Sequence, residues 1–111
     1  MKLIVFWIIF TFTLVTWQNF KFFKHANDFS LHFIDVGQGD AALIRTPNNC
    51  TILIDGGKPN VLIDKLANYL PPLDRDIDLL ILSHPHLDHL GGPVQVMQRF
   101  NVKTIFTTGV K

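Results

Sequence analysis

The sequence predicts a mixed α/β fold preceded by an apolar helix at the N-terminus. Three observations carry this. Short runs that alternate apolar and polar residues are separated by Gly, Pro and Asn turns, the mark of half-buried strands. Two stretches between those runs are read as helices, one from apolar residues at helical spacing and one from a Pro at its expected first turn. The order that results is β-ββ-α-β-α-β, with no internal repeat and no low-complexity tract. With 111 residues the chain has room for one domain. Its charge is uneven: residues 1–26 hold three lysines and no acid, whereas residues 27–111 hold seven Lys and Arg against nine Asp. A basic nucleic-acid-binding domain is therefore disfavoured. A composition 48% hydrophobic and 17% charged excludes a disordered chain, and Cys50 as the only cysteine excludes a disulfide scaffold.

The first element is the run at 3–20, 18 residues without a charge. As a helix at ~1.5 Å per residue it would reach about 27 Å, close to the ~30 Å hydrocarbon core of a bilayer. Trp17 stands where an interfacial anchor would, and Lys21 and Lys24 end the run. A cleaved signal peptide needs small residues before its cleavage site. Between Gln18 and Ser30 the only one of that kind is Ala26, with Lys24 two positions before it. Residues 1–26 are accordingly read as a membrane anchor with a short flank, a cleaved signal peptide being the alternative. The flanking positive charges tie. Short N-terminal anchors usually leave the following domain outside, so residues 27–111 are placed on the extracytoplasmic side, membrane-anchored or, after cleavage, secreted. Cys50 is then a free thiol.

Residues 25–28 read as a linker. A strand at 30–36 is stopped by Gly37-Gln38-Gly39-Asp40. Strands at 41–46 and 50–54 flank the turn Pro47-Asn48-Asn49 and form a hairpin, closed by Asp55-Gly56-Gly57. Val61-Leu62, Lys65-Leu66 and Tyr69-Leu70 recur at helical spacing, which predicts a helix over 61–70 capped by Asn60 and ended by Pro71-Pro72. The near-continuous apolar run at 77–82 predicts a strand buried on both faces. Pro93 suits the first turn of a helix running to about residue 100, and 102–107 is a last strand.

Three of the five histidines lie within six residues, in Ser83-His84-Pro85-His86-Leu87-Asp88-His89, directly after the strand at 77–82. The carboxyl end of such a strand is where α/β folds bind ligands. In an extended stretch side chains two apart point the same way, so His84 and His86 can reach one point. If the chain then turns, Asp88 and His89 project from the next step of the loop. This offers two nitrogens for one metal ion and a carboxylate with a nitrogen for a second, the ligand types that zinc takes. Gly91-Gly92 would let the backbone leave the crowded loop.

His84-Pro85-His86-Leu87-Asp88-His89 resembles the metal-binding signature of the metallo-β-lactamase superfamily. Upstream, the stretches Phe33-Ile34-Asp35-Val36-Gly37-Gln38-Gly39-Asp40-Ala41 and Thr51-Ile52-Leu53-Ile54-Asp55-Gly56-Gly57 resemble the metallo-β-lactamase domain of the ComEC competence proteins and their stand-alone relatives. The likeness covers about residues 31–107, in order. It implies one half of a four-layer αββα sandwich. It also implies two zinc ions in the complete domain: His84 and His86 on the first, Asp88 and His89 on the second, and Asp55 behind them orienting the site. Asp35 and Asp40, from the ComEC-like phrase, are further candidate site residues.

One departure matters. The superfamily takes a third His for the first metal, and a bridging Asp and a last His for the second, from downstream segments, and past His89 this sequence holds neither His nor Asp. The expectation is that residues 27–111 are the N-terminal part of the domain, inactive alone. The complete protein is expected to be a zinc-dependent hydrolase in which Asp88 orients the attacking water. Its first-choice substrates are phosphodiesters such as DNA, because the resemblance is to proteins that handle DNA at the cell surface. The alternatives are a non-catalytic, membrane-tethered module of a DNA-uptake apparatus and a hydrolase of another ester or amide. No protein partner is inferable.

Overall fold

The computed structural model describes residues 1–24, 28–84 and 86–109. The expected linker at 25–28, with Ala26, lies outside the described residues except for Asp28. Helix α1 (Lys2–Lys24) carries the apolar run. Its part Lys2–Phe20 is long and apolar enough to cross a membrane, a test that a signal sequence near the N-terminus also passes. Thr11, Thr13 and Thr16 interrupt the apolar surface, and each hydroxyl donates to a carbonyl three or four residues back at 2.8–3.0 Å. Their polarity is thus satisfied inside the helix.

Five strands form one sheet in chain order: β1 (Ser30–Phe33), β2 (Ala41–Arg45), β3 (Thr51–Asp55), β4 (Asp76–Leu82) and β5 (Asn101–Thr107). β1, β2 and β3 pair antiparallel, whereas β3–β4 and β4–β5 pair parallel. A parallel neighbour cannot be reached by a tight turn. The two crossovers carry α2 (Leu62–Leu66) and α3 (Leu87–Arg99). Leu43, Leu53 and Leu80 stand opposite one another across β2, β3 and β4, and Leu62, Leu66 and Val96 from the helices complete the cluster around them, all fully buried. A mixed sheet with helices in its crossovers is the expected α/β class, and it suits one part of a layered sandwich.

Four expectations need correction. The strand at 30–36 ends at Phe33: Ile34 still donates to the Ala41 carbonyl at 2.9 Å, and the chain then leaves the sheet. β4 is not buried on both faces. Ile77 and Leu80 are enclosed, but Leu79, Ile81 and Leu82 are half-buried. The helix predicted over 61–70 shrinks to Leu62–Leu66, and its N-cap is Val61, which makes no side-chain cap bond. Asn60 is taken up elsewhere: it sits at φ 70°, its amide donates to Gln95 Oε1 at 2.7 Å, and its Oδ1 accepts from Gln95 Nε2 at 2.6 Å.

The fourth correction moves the start of α3 from Pro93 back to Leu87. An interior proline normally removes a helix hydrogen bond and crowds the preceding turn. Here the neighbouring Gly92 amide donates out of the helix to the Gly57 carbonyl at 3.0 Å. The Pro93 ring is fully buried against Gly56. Packing of the ring and the bond to Gly57 offset the lost helix bond.

At the amino end of β4, Asp78 joins three strands. Its carboxylate accepts from the Thr51 amide of β3 at 2.8 Å and from Lys103 Nζ of β5 at 2.7 Å. The Lys103 ammonium first, and the Thr51 amide next, hold the Asp78 carboxyl below the usual carboxylate range. A carboxyl lowered on folding stabilises the fold above its ordinary value of about 3.9, and that contribution is lost as pH falls through the lower folded value. Asp78→Asn should therefore lower stability by about 1 kcal/mol near neutral pH. It should also flatten the fall of the urea midpoint as pH drops below about 4. An acid limb identical to that of the unsubstituted chain would refute the assignment.

Candidate metal centre

β3 and β4 run parallel with Ile54 opposite Ile81, so Asp55 at the end of β3 lies beside the residues that leave β4. Asp55 takes a left-handed backbone (φ 53°), a region that Asp enters more readily than most residues, and it is buried at 4% exposure. Its Oδ1 accepts from the Ser83 amide at 2.8 Å. Its Oδ2 accepts from the Ser83 hydroxyl at 2.6 Å and faces His89 Nδ1 at 3.2 Å. The Ser83 hydroxyl also lies 2.9 Å from His84 Nδ1.

His84 leaves the end of β4. His86 follows in extended conformation at the N-cap of α3, and Asp88 and His89 occupy the first turn of that helix. The expectation that Asp88 and His89 ride on a loop is thereby corrected: they are helical. The His86 carbonyl anchors the turn by accepting from the His89 and Leu90 amides at 3.0 and 2.9 Å. An acidic residue in this turn is favoured by the unpaired amides of a helix start. Pro85, within the motif, lies outside the described residues.

The histidine rings gather. His84 lies 4.8 Å from His86 and 3.9 Å from His89, centroid to centroid, so its shorter contact is to His89 rather than His86. Asp88 Oδ2 is 3.8 Å from His89 Nε2. An ion ~2.0–2.2 Å from each of two donors fits between atoms so spaced. The donor set of imidazole nitrogens and one carboxylate suits a zinc-like ion. Among the described residues no three His, Cys, Asp or Glu side chains converge closely enough to form a complete site.

Asp35 and Asp40 stand apart from the histidines in what they touch. Asp35 Oδ1 accepts from the Gly37 amide at 3.0 Å, and its Oδ2 lies 3.6 Å from Lys65 Nζ. The Gly37 amide, then the Lys65 ammonium, hold this exposed carboxyl below the usual range. Asp40 is exposed, and both line a hollow of about 350 Å³ that Asp55 also borders.

Backbone contacts hold the loops around the site together. A Cβ on Gly39 would land on the Asp88 carbonyl oxygen, and one on Gly92 would land on the Gly56 carbonyl oxygen. Gly39, Gly56, Gly57, Gly91 and Gly92 are thus points of close approach between three segments. This replaces the expected role of Gly91-Gly92 as an exit from a loop. The sequence reading also passed over Ser83, which contacts both Asp55 and His84. Its place directly before the first motif histidine was the available signal.

The family described as the metallo-beta-lactamase superfamily matches residues 34–106, and the chain belongs to it. It is 34% identical over 61 residues to hydroxyacylglutathione hydrolase GloC of Haemophilus influenzae, covering 50% of this chain and 29% of that protein. It is 36% identical over 58 residues to hydroxyacylglutathione hydrolase of Aeromonas salmonicida, covering 52% and 21%. A metal-dependent hydrolase of Thermodesulfovibrio yellowstonii is 31% identical over 64 residues, covering 58% and 24%. The chain thus spans less than a third of the length of each of these relatives.

Asp55→Asn keeps the volume but faces two donors with an NH₂ group, or turns that group against the Ser83 amide. It should lower stability by about 2–3 kcal/mol, as expected when a buried acceptor becomes a donor among donors. Urea unfolding of the two chains measures this, and an unshifted midpoint would show that the Asp55 contacts carry no weight.

Proposed function

We propose that this chain supplies the histidine-bearing part of a divalent-metal hydrolase, with His84, His86, Asp88 and His89 as ligands and Asp55 behind them. The observation that carries this reading is the engagement of His89 Nδ1 by a buried carboxylate, which leaves Nε2 turned toward Asp88. Metal-binding histidines are regularly held this way by a carboxylate on the other ring nitrogen. A zinc pair at such a site, when bound, polarises the scissile group and makes water nucleophilic near neutral pH. The side chains of this chain then have separate tasks. Asp88, about one third exposed, orients the attacking water. Asp55 and the helix start keep His89 from turning.

Phosphodiesters are the proposed substrate class, DNA included, on the strength of the ComEC-like phrase at 35–40. The names of two of the relatives favour a second reading, hydrolysis of a hydroxyacylglutathione. We further propose that Lys2–Phe20 holds the protein in a membrane with residues 27–111 outside. The 18 uncharged residues at 3–20 and the poor cleavage site at Ala26 support an uncleaved anchor.

Cobalt titration followed by absorbance tests the ligand assignment. His84→Ala and His89→Ala should each weaken binding by about tenfold or more, Asp88→Asn likewise. His32→Ala should leave binding unchanged, since that ring packs on Tyr69 at 4.9 Å. Equal binding by all four variants would refute the site. In the complete protein with metal supplied, turnover of bis(4-nitrophenyl) phosphate supports the first reading and turnover of a hydroxyacylglutathione the second, whereas metal binding with neither indicates a non-catalytic module.

The anchor has its own check. The full chain should stay in the membrane pellet after a carbonate wash, and protease added outside intact cells should cut beyond Asp28. A soluble protein beginning near Ala26 would show a signal peptide instead. Protection until lysis would show the opposite orientation.

A further inference from the structure

The Ser83 hydroxyl has one proton and two polar neighbours. It stands 2.6 Å from Asp55 Oδ2 and 2.9 Å from His84 Nδ1. A carboxylate only accepts, so the hydroxyl proton points to Asp55. Toward His84 the same oxygen is then an acceptor, and the imidazole must donate from Nδ1. Neutral imidazole carries one N–H, so His84 Nε2 is left with its lone pair. The neighbouring histidine reaches the same state directly, through His89 Nδ1 at 3.2 Å from the same carboxylate oxygen.

We propose that Ser83 is a positioning residue that relays the Asp55 carboxylate to His84, so that one buried carboxylate sets the tautomer of two of the three motif histidines, His84 and His89. The relay rests on the metal-site reading for its purpose, though not for its geometry. His89 lies on α3 and His84 at the end of β4, so a single carboxylate at the end of β3 reaches the first directly and the second through the hydroxyl between them. The Ser83 amide, donating to Asp55 Oδ1 at 2.8 Å, fixes the backbone from which the hydroxyl acts. Ser83 touches no substrate in this scheme. It acts by holding the ring orientation and keeping Nε2 unprotonated before any ligand arrives.

The test uses the full chain without metal, labelled with ¹⁵N, under alkaline conditions in which imidazole is neutral. Two-bond ¹⁵N–¹H spectra report which nitrogen of each ring carries the proton. In the unsubstituted chain His84 and His89 should both be protonated at Nδ1. Ser83→Ala should release His84 to the tautomer mixture of a free imidazole, while His89 keeps its Nδ1 proton and so reports that Asp55 is still in place. Ser83→Thr, which retains the hydroxyl, should restore the His84 pattern. Zinc affinity measured by competition with a chelating dye should fall about tenfold in Ser83→Ala and recover in Ser83→Thr.

An unchanged His84 tautomer in Ser83→Ala overturns the relay. So does failure of Ser83→Thr to preserve it, since the hydroxyl is then present and insufficient. Tautomer changes as expected in this chain, together with no zinc binding by the complete protein, retain the relay and refute the metal-site reading. A chain whose zinc affinity and tautomers are unaffected by Ser83→Ala retains the metal site and refutes the relay.

Discussion

The arrangement of this protein depends on one buried carboxylate. Asp55 ends a strand in a left-handed conformation that places its oxygens against the next parallel strand, and both oxygens are engaged. A carboxylate withdrawn from water is stable only when donors replace the solvent. Those donors are the Ser83 amide, the Ser83 hydroxyl and His89 Nδ1, which belong to the end of β4 and the first turn of α3. Satisfying Asp55 therefore brings the motif together. Drift of α3 from the end of β4 would remove one of the two partners of Asp55 Oδ2, and departure of Ser83 would leave Oδ1 with none, a loss that costs about 1–3 kcal/mol per unpaired group.

Close backbone approach does the rest of the positioning. The three glycine-bearing segments meet at Gly39 with Asp88, Gly56 with Pro93, Gly57 with Val36, and Gly91 with Pro59. At Gly39 two demands coincide: φ is +97°, and the space a side chain would occupy is filled by the Asp88 carbonyl. The phrase at 35–40 is thus bound to the site by packing against the helix turn that carries Asp88. Its own acid, Asp35, faces outward to Lys65. The phrase thus contributes Gly39 to the centre more directly than either of its aspartates.

What the sequence made legible follows from the range of the forces involved. Strands β2 to β5 were readable within a residue or so of their ends, because alternation and apolar runs are local signals. The motif histidines were readable because three of them occur together beside a strand end. The errors fell where a distant partner decides. Pro93 begins a helix by local rules, yet α3 starts six residues earlier, and the Gly92 amide beside the proline is held by the carbonyl of Gly57, far away in sequence. Asn60 is a good cap by local rules, yet Gln95 holds both its backbone and its side chain. Ser83 receives no role from the sequence because its one local mark is its place before His84, and the carboxylate that its hydroxyl reaches lies on another strand.

β4 shows how the two ends of the sheet cooperate. At its start Asp78 binds the Thr51 amide and Lys103, tying β4 to both neighbours. At its far end Ser83 binds Asp55 of β3. A strand slipped by one residue turns every side chain to the opposite face. Such a slip here would move Asp78 away from Thr51 and Lys103 and place Leu82 or His84, in place of Ser83, against the Asp55 carboxylate. Leu82 has no side-chain donor, so Asp55 Oδ2 would lose its shorter bond. Leu80 would leave the cluster with Leu43 and Leu53 in the same step. The register that buries the core is therefore the register that assembles the histidines, and the stability of the sheet and the geometry of the candidate site are secured by the same contacts.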